Sequence, residues 1–409
     1  MIQESTVTFP TGVTEPEYEL WGNDVDVDPT GIFEDLGEQD RAWWDKARTF
    51  ALDEVRPIAH EYWEKADYPL HLVKLLGDAD LLRDGQNLEG STPMSAMAAG
   101  LVNMELHRAD GSVGTIVGVQ AGLAVRSILK CGNAEQIQQY AVPMIRGELP
   151  GAFALTEPTH GSDSVGLETR AIRVEGGYLV SGEKKWIGNG SIGGISVVWA
   201  RDEQGNVRGL LVDQASEGYV GTTIVNKLSL RAIWQAHIRM DNVFVPDSMV
   251  LPGANSFKDT AGVLFATRLG VAWAAVGHAT ACYESAVQYA KQRVQFGRPL
   301  AASQIVQERL ARMQSELATI QLLAVQSTRR DMAGKLTGPA ASLAKYTATR
   351  TARSIAANAR DLLGGNGILT NNRVARHFAD MEALHTYEGT ETVQALIMGR
   401  AITGHSAFA

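Results

Sequence analysis

Cysteine is nearly missing from this chain, with two residues, Cys131 and Cys282, in 409. Each stands in an apolar helical context, which excludes a disulfide framework and fits a reducing compartment. No Cys/His cluster has metal-ligand spacing, so no metal site is expected. No uninterrupted apolar run approaches the ~20 residues of a membrane helix, and the N-terminus has neither the basic nor the apolar region of a secretory leader. These absences predict a cytoplasmic protein with no membrane partner. Basic residues are missing from one stretch only: residues 1–40 hold eleven Asp/Glu and no Lys/Arg. The formal charge of −9 is therefore uneven, the first forty residues contributing −11 and the remainder +2. Residues 256–409 carry 17 Lys/Arg against 10 Asp/Glu, a net +7. Those bases lie at helical spacing without interleaved aromatics, which argues against nucleic acid as a partner. A Rossmann or P-loop nucleotide site is also absent, because Gly365-Asn366-Gly367 follows no predicted strand and lacks the third glycine.

What is there is ample core material, 45% hydrophobic residues in a chain long enough for two or three domains. Residues 1–37, with Pro10, Pro16 and Pro29, read as an extended acidic arm lying on the body through Tyr18, Trp21 and Phe33. From 38 to 149 apolar residues recur at three- and four-residue spacing, as in Trp43, Ala47, Phe50, Ala51 and Val55, which predicts an α-helical domain. Between 150 and 254 the period changes to two. AIRVEGGYLVSGEKKWIG and ISVVWARDEQGNVRGLLVD each read as strand, turn, strand, and HIRMDNVFVP closes the set at Pro246, giving a small β-barrel or sandwich. From 255 to 409 four long helical stretches, 263–293, 301–331, 338–363 and 372–402, predict an antiparallel bundle. The fold class is thus mainly α with a central β domain.

The stretch 151–163, GAFALTEPTHGSD, ends a short apolar strand at Pro158 and continues into Gly161-Ser162-Asp163. On local chemistry alone it is a strand with an Asx-type turn, offering backbone N–H groups and hydroxyls to a flat polar ligand. It resembles the flavin-binding signature of the acyl-CoA dehydrogenase family. GEKKWIGNG (182–190), DNVFVPDSMVLPG (241–253), QRVQFGRPLAASQ (292–304) and LLGGNGILTNNRVARHFADMEALHTYEGTETVQ (362–394) resemble that family in the same order. Together they cover roughly residues 40–405 and look most like the glutaryl-CoA dehydrogenase and short-chain acyl-CoA oxidase branch.

The resemblance implies FAD as cofactor and Glu388 as the base for the proton α to a thioester carbonyl. Taken alone, Tyr387-Glu388-Gly389-Thr390 is equally a turn with an exposed carboxylate. The isoalloxazine would meet Phe153, Leu155, Thr156, Trp186, Ile187, Gly188 and Thr390; Trp186 by itself reads as a core residue. Arg293, Phe296, Gln304, Asp361, Leu362, Leu363, Gly364 and Gly365 match segments that hold the adenine–pyrophosphate portion, partly from a neighbouring subunit, which implies a homotetramer. Ser162, Gly114, Thr115, Arg268 and Tyr387 match substrate positions, although Arg268 is equally readable as half of a buried ion pair. Four positions depart from the pattern. Gly114 replaces the arginine that captures a distal carboxylate in the glutaryl branch, and His107 its acidic partner. Thr115 takes the place of the adjoining serine. Gly188 stands where most dehydrogenases carry a threonine, as in the plant oxidases, and is expected to open space beside the flavin. The resemblance therefore implies α,β-dehydrogenation of a short acyl-CoA with an electron-transfer flavoprotein as partner. An oxidase using O2 is the alternative; a glutaryl-CoA enzyme and a DNA-binding relative are disfavoured.

Overall fold

The computed structural model describes Tyr18, Leu20, Trp21 and residues 25–407; most of the acidic arm lies outside the described residues. What is described of the arm lies on the body: Phe33 is buried, and Tyr18 packs edge-on against Tyr289 with centroids 4.9 Å apart.

The helical region holds α1 (Glu38–Phe50), α2 (Arg56–Lys65), α3 (Leu70–Asp78), α4 (Ala96–Ala109), α5 (Gly111–Val117), α6 (Arg126–Cys131), α7 (Ala134–Gln136) and α8 (Val142–Ile145). Wider π turns join α1 to α2, α5 to α6 and α7 to α8. Side-chain caps set the joint that matters for the site. Ser95 accepts from the Ala98 N–H to open α4, and Asp110 accepts from the Ser112 and Val113 N–H groups to open α5. The sequence shows no uninterrupted membrane-length run, yet Gly111–Cys131 and Phe257–Gln292 are long and apolar enough by composition to span a bilayer. Small residues dilute their hydropathy only slightly; in the fold most of each is buried inside the protein.

The strands β1 (Gly151–Ala154), β2 (Arg170–Val174), β3 (Gly177–Gly188), β4 (Ile195–Asp202), β5 (Val207–Asp213), β6 (Tyr219–Thr223) and β7 (Gln235–Pro246) form a single seven-stranded sheet, ordered β1-β4-β2-β3-β7-β6 with β5 on the other edge of β4. β1 runs parallel to the first half of β4, Phe153 opposite Val197, and β2 parallel to its end. Every residue of β1 is buried, as expected of a strand covered on both faces.

The C-terminal helices are α9 (Phe257–Gln292), α10 (Gln304–Met332), α11 (Gly338–Leu362), α12 (Arg373–Thr386) and α13 (Glu391–Thr403), with the hairpin β8 (Val294–Gln295) and β9 (Arg298–Pro299) between α9 and α10. The fourth expected helical stretch is thus broken in two at residues 387–390. α9 also packs on α4. A Cβ at Gly277 would lie 2.2 Å from the Met104 carbonyl, so only glycine allows the two backbones this approach.

Candidate active site

A cavity of about 1080 Å³ opens between the sheet, α4, α5 and the π turn after it, α9, and the 387–390 break with α13. Thirteen residues matched in the sequence to cofactor, substrate or catalytic positions line it, Gly114, Thr115, Phe153, Leu155, Thr156, Ser162, Trp186, Ile187, Gly188, Arg268, Tyr387, Glu388 and Thr390, together with His107.

The sheet side is shaped by a bulge. The β3–β7 register slips between Lys185 and Ile187, and Trp186 between them adopts φ 66°. The extra residue turns the indole out of the sheet, leaving it 56% exposed. Trp186 is therefore not a core side chain, correcting the reading of that residue taken alone. Beneath it the Lys185 N–H donates to the Thr156 carbonyl at 2.8 Å, tying β3 to the end of β1. Lys184 is fully buried below this joint, its Nζ donating to the Leu155 carbonyl at 3.0 Å and to Glu157 Oε1 at 2.9 Å. Burial alone would raise the Glu157 pKa, but Lys184, the Thr169 hydroxyl and the Glu168 N–H hold it down to about 2. Glu157, His160 and Glu168 bring possible ligand atoms within 4.8 Å of one another. The Glu157 oxygens already accept from Lys184, Thr169 and Glu168, so this group acts as a clamp on the loop.

Opposite the indole, residues 387–390 carry Glu388 with φ 53° and Gly389 with φ 84°. Glu388 Oε2 accepts from the Thr267 hydroxyl of α9 at 2.6 Å. The residue is part-buried and lines the cavity. Desolvation raises its pKa, against the Thr267 bond and the charge of Lys345, both of which lower it. Among the described residues the Glu388 N–H donates to no protein acceptor. Thr390 caps α13 by accepting from the Val393 N–H. The Thr115 hydroxyl donates to the Gly111 carbonyl at 2.7 Å, and Tyr387 lines the same part of the cavity. Among the described residues Arg268 forms no ion pair within 4.0 Å, unlike the buried pair its sequence context allowed. Its side chain makes one long bond, 3.4 Å to Ser342 Oγ, and Glu388 is the acid whose charge it feels.

At the acyl end the departures explain one another. His107 Nδ1 lies 3.0 Å from the Asn103 carbonyl and must donate to it, and a Cβ at Gly114 would sit 2.2 Å from that Nδ1. Burial lowers the His107 pKa to about 4, so the ring is neutral near pH 7. The wall built by α4 and α5 thus presents a neutral imidazole where a cation would serve a carboxylate tail. Gly188 also departs from expectation. A Cβ there would meet Val119 Cγ2 at 2.8 Å, so valine occupies the room that a missing side chain was expected to open.

Eight of the singled-out residues lie away from this cavity. Arg293 donates to the Tyr18 hydroxyl at 2.9 Å, and Phe296 at the hairpin tip is fully exposed at φ 52°. Gln304 opens α10, Asp361 accepts from Arg309 at 2.6 Å near the end of α11, and Leu362, Leu363, Gly364 and Gly365 follow it. Sequence reasoning missed Lys184, Val119, Thr267 and Lys345. Lys184 had a signal, since it shares strand parity with buried Val180; the others are ordinary members of helical repeats.

Comparison with known proteins places this architecture. Residues 37–148, 152–243 and 257–403 match the models of the acyl-CoA dehydrogenase N-terminal, middle and C-terminal domains. An acyl-CoA dehydrogenase of Bacillus subtilis is 34% identical over 364 residues, 87% of this chain and 96% of that protein. The crystal structure of glutaryl-CoA dehydrogenase from Mycobacterium smegmatis superposes with a TM-score of 0.91 at 37% identity, covering 94% of this chain and 99% of that one. A glutaryl-CoA dehydrogenase structure from the same organism, in complex with FADH2, gives 0.89 at 33% identity over 91% and 97%. The fold and site are those of a flavin-dependent oxidoreductase. The chain belongs to the acyl-CoA dehydrogenase family, which is FAD-dependent.

Proposed function

We propose that this chain dehydrogenates a short, uncharged acyl-CoA thioester to the 2-enoyl-CoA, with Glu388 as the base. The carrying observation is the Glu388 carboxylate, raised in pKa by desolvation and held by Thr267 at the wall of the cavity. A desolvated carboxylate is a stronger base toward a weakly acidic C–H than one in water. Deprotonation builds charge on the thioester carbonyl oxygen, and the free N–H of Glu388 is available to bond it. The sheet side fits FAD. The bulged Trp186 offers an exposed aromatic face, and Phe153, Leu155, Thr156, Ile187, Gly188 and Thr390 line the same wall. FAD, when bound, supplies the acceptor for the β-hydride. Arg293, Phe296, Gln304 and residues 361–365 would hold the adenine–pyrophosphate portion of FAD, partly across a homotetramer interface; the exposed Phe296 hairpin supports this, while Leu363 is buried in the core. Ser162 at the rim and Arg268 beside Glu388 would receive the CoA thioester, while Thr115, Gly114 and Tyr387 shape the acyl pocket.

Substrate choice follows from the neutral wall at Gly114 and His107. A distal carboxylate buried there without a counter-charge would cost several kcal/mol as an order of magnitude, so the glutaryl specificity named for the structural neighbours does not carry over. Filling of the Gly188 space by Val119 favours an electron-transfer flavoprotein over O2 as acceptor. Replacing Glu388 by Gln tests the central assignment: FAD and acyl-CoA should still bind while anaerobic flavin reduction is abolished. Normal reduction by that variant would show that another group is the base.

A further inference from the structure

Beneath the 387–390 break, on α11, is a buried lysine that the reaction above does not use. Lys345 is 1% exposed. Its Nζ donates to the Tyr387 carbonyl and, at 2.6 Å, to the Gly389 carbonyl. These two carbonyls flank Glu388. Gln394 Nε2 adds bonds of 3.1 Å to the Glu388 and Gly389 carbonyls, so three successive carbonyls are gripped from below. Glu388 needs such a grip. A left-handed backbone at a residue with a Cβ is unfavourable and persists only where its surroundings fix it. Without the two Lys345 bonds, the segment could relax toward joining α12 and α13, which would swing the carboxylate away from Thr267.

We infer that Lys345 is a positioning residue for the catalytic base, holding the Tyr387–Gly389 backbone from below so that Glu388 faces the thioester. The inference rests on the reading of Glu388 as the base. The charged groups facing Glu388 are Lys345 from α11, Arg268 from α9 and Asp84 from the loop after α3. Asp84 is itself paired with Arg126 at 3.1 Å. The charged and titratable groups facing Lys345 are Glu388, Arg268 from α9, His385 from α12 and the Tyr387 ring, whose centroid is 5.9 Å from Nζ. Burial pulls the Lys345 ammonium down to about 7 and Glu388 opposes that pull. A core position that needed only packing would hold a methionine or leucine without this penalty. The sign for the base is definite. Removing the lysine charge removes an influence that lowers the Glu388 pKa, so the carboxylate stays protonated to higher pH.

The test uses FAD-loaded enzyme with Lys345→Met and Lys345→Gln, measuring acyl-CoA affinity and the pH dependence of anaerobic flavin reduction. The methionine variant should bind acyl-CoA within about threefold of wild type. Its reduction should slow by about tenfold or more, with the acid limb of the profile moved up by about one pH unit. Gln keeps donors for the two carbonyls without the charge, so it should recover much of the high-pH rate while retaining the shifted limb. Wild-type rates with an unmoved limb would overturn the inference. So would equal losses of rate and affinity with an unmoved limb, since that marks a merely structural lysine. Failure of both variants to hold FAD would also overturn it, because a positioning role presumes an assembled site. Glu388→Gln is run in parallel. Normal reduction there sinks the base assignment, whereas an inactive Glu388→Gln beside an unaffected Lys345→Met sinks only the role of the lysine.

Discussion

Adding a single methyl group at Gly114 should unsettle the acyl pocket more than its size suggests. In Gly114→Ala the new Cβ would lie 2.2 Å from His107 Nδ1 and 2.4 Å from Cε1. Ordinary contact begins near 3.4 Å, so the ring must retreat by about 1.2 Å, and an imidazole cannot fold out of the way. Retreat breaks the 3.0 Å bond to the Asn103 carbonyl and presses the ring toward His278, whose centroid is already 5.6 Å away. Overpacking of this kind costs about 1–3 kcal/mol, and the lost hydrogen bond about 1 kcal/mol. Gly114→Ala should therefore destabilise the FAD-loaded protein by about 2–4 kcal/mol. Urea unfolding followed by circular dichroism and flavin fluorescence would measure it. His107→Ala removes the obstructing ring, so the double variant should be more stable than the two single losses sum to, with a coupling of about 1.5 kcal/mol or more. The same logic says that Gly114→Arg becomes tolerable, and able to admit a carboxylate-tailed acyl group, only when His107 is also truncated. A Gly114→Ala protein as stable as wild type, with no coupling to His107→Ala, would refute the packing described here and the pocket argument built on it.

Butyryl- or isobutyryl-CoA should reduce the flavin at least about tenfold faster than glutaryl-CoA, ~1.4 kcal/mol in barrier; glutaryl-CoA as the best substrate, with a decarboxylated product, would reverse the specificity argument. Gly188→Thr should weaken FAD retention, because its Cβ meets Val119 Cγ2 at 2.8 Å, and adding Val119→Ala should restore retention; equal flavin content in both variants would show that the contact carries no weight. The product-bound reduced enzyme should reoxidise slowly in air and rapidly with an electron-transfer flavoprotein, and hydrogen peroxide formed at the rate of flavin reduction would make it an oxidase.

The change of hydrophobic period from helical to alternating and back is visible in the sequence because each region buries one face. Strand β6 escaped it because Tyr219–Thr223 is short and mostly uncovered. The break at 387–390 was visible as an interrupted pattern, though not as a left-handed turn, since a glutamate gives no warning of positive φ. Residues on the cavity wall were legible because they sit in motifs next to turns. Lys345 and Val119 were not. A lysine inside an alanine-rich helix reads as a solvated face, and only packing shows that it points inward. The space at Gly188 was misjudged for the same reason, because a missing Cβ in sequence says nothing about which neighbour has moved in.

The left-handed backbone at Glu388 has an evolutionary consequence. At φ 53° a residue with a side chain is strained, and glycine or asparagine would sit there more comfortably. Changing Glu388 to either would relieve strain of about 1 kcal/mol or more and remove a carboxylate from a desolvated wall. That relief is set against the loss of the counter-charge that Glu388 gives the buried Lys345, so under the proposed function a glutamate here implies selection for the reaction. In a lineage released from that selection, position 388 would drift early, toward glycine or asparagine, while the sheet and the helices around it stayed intact.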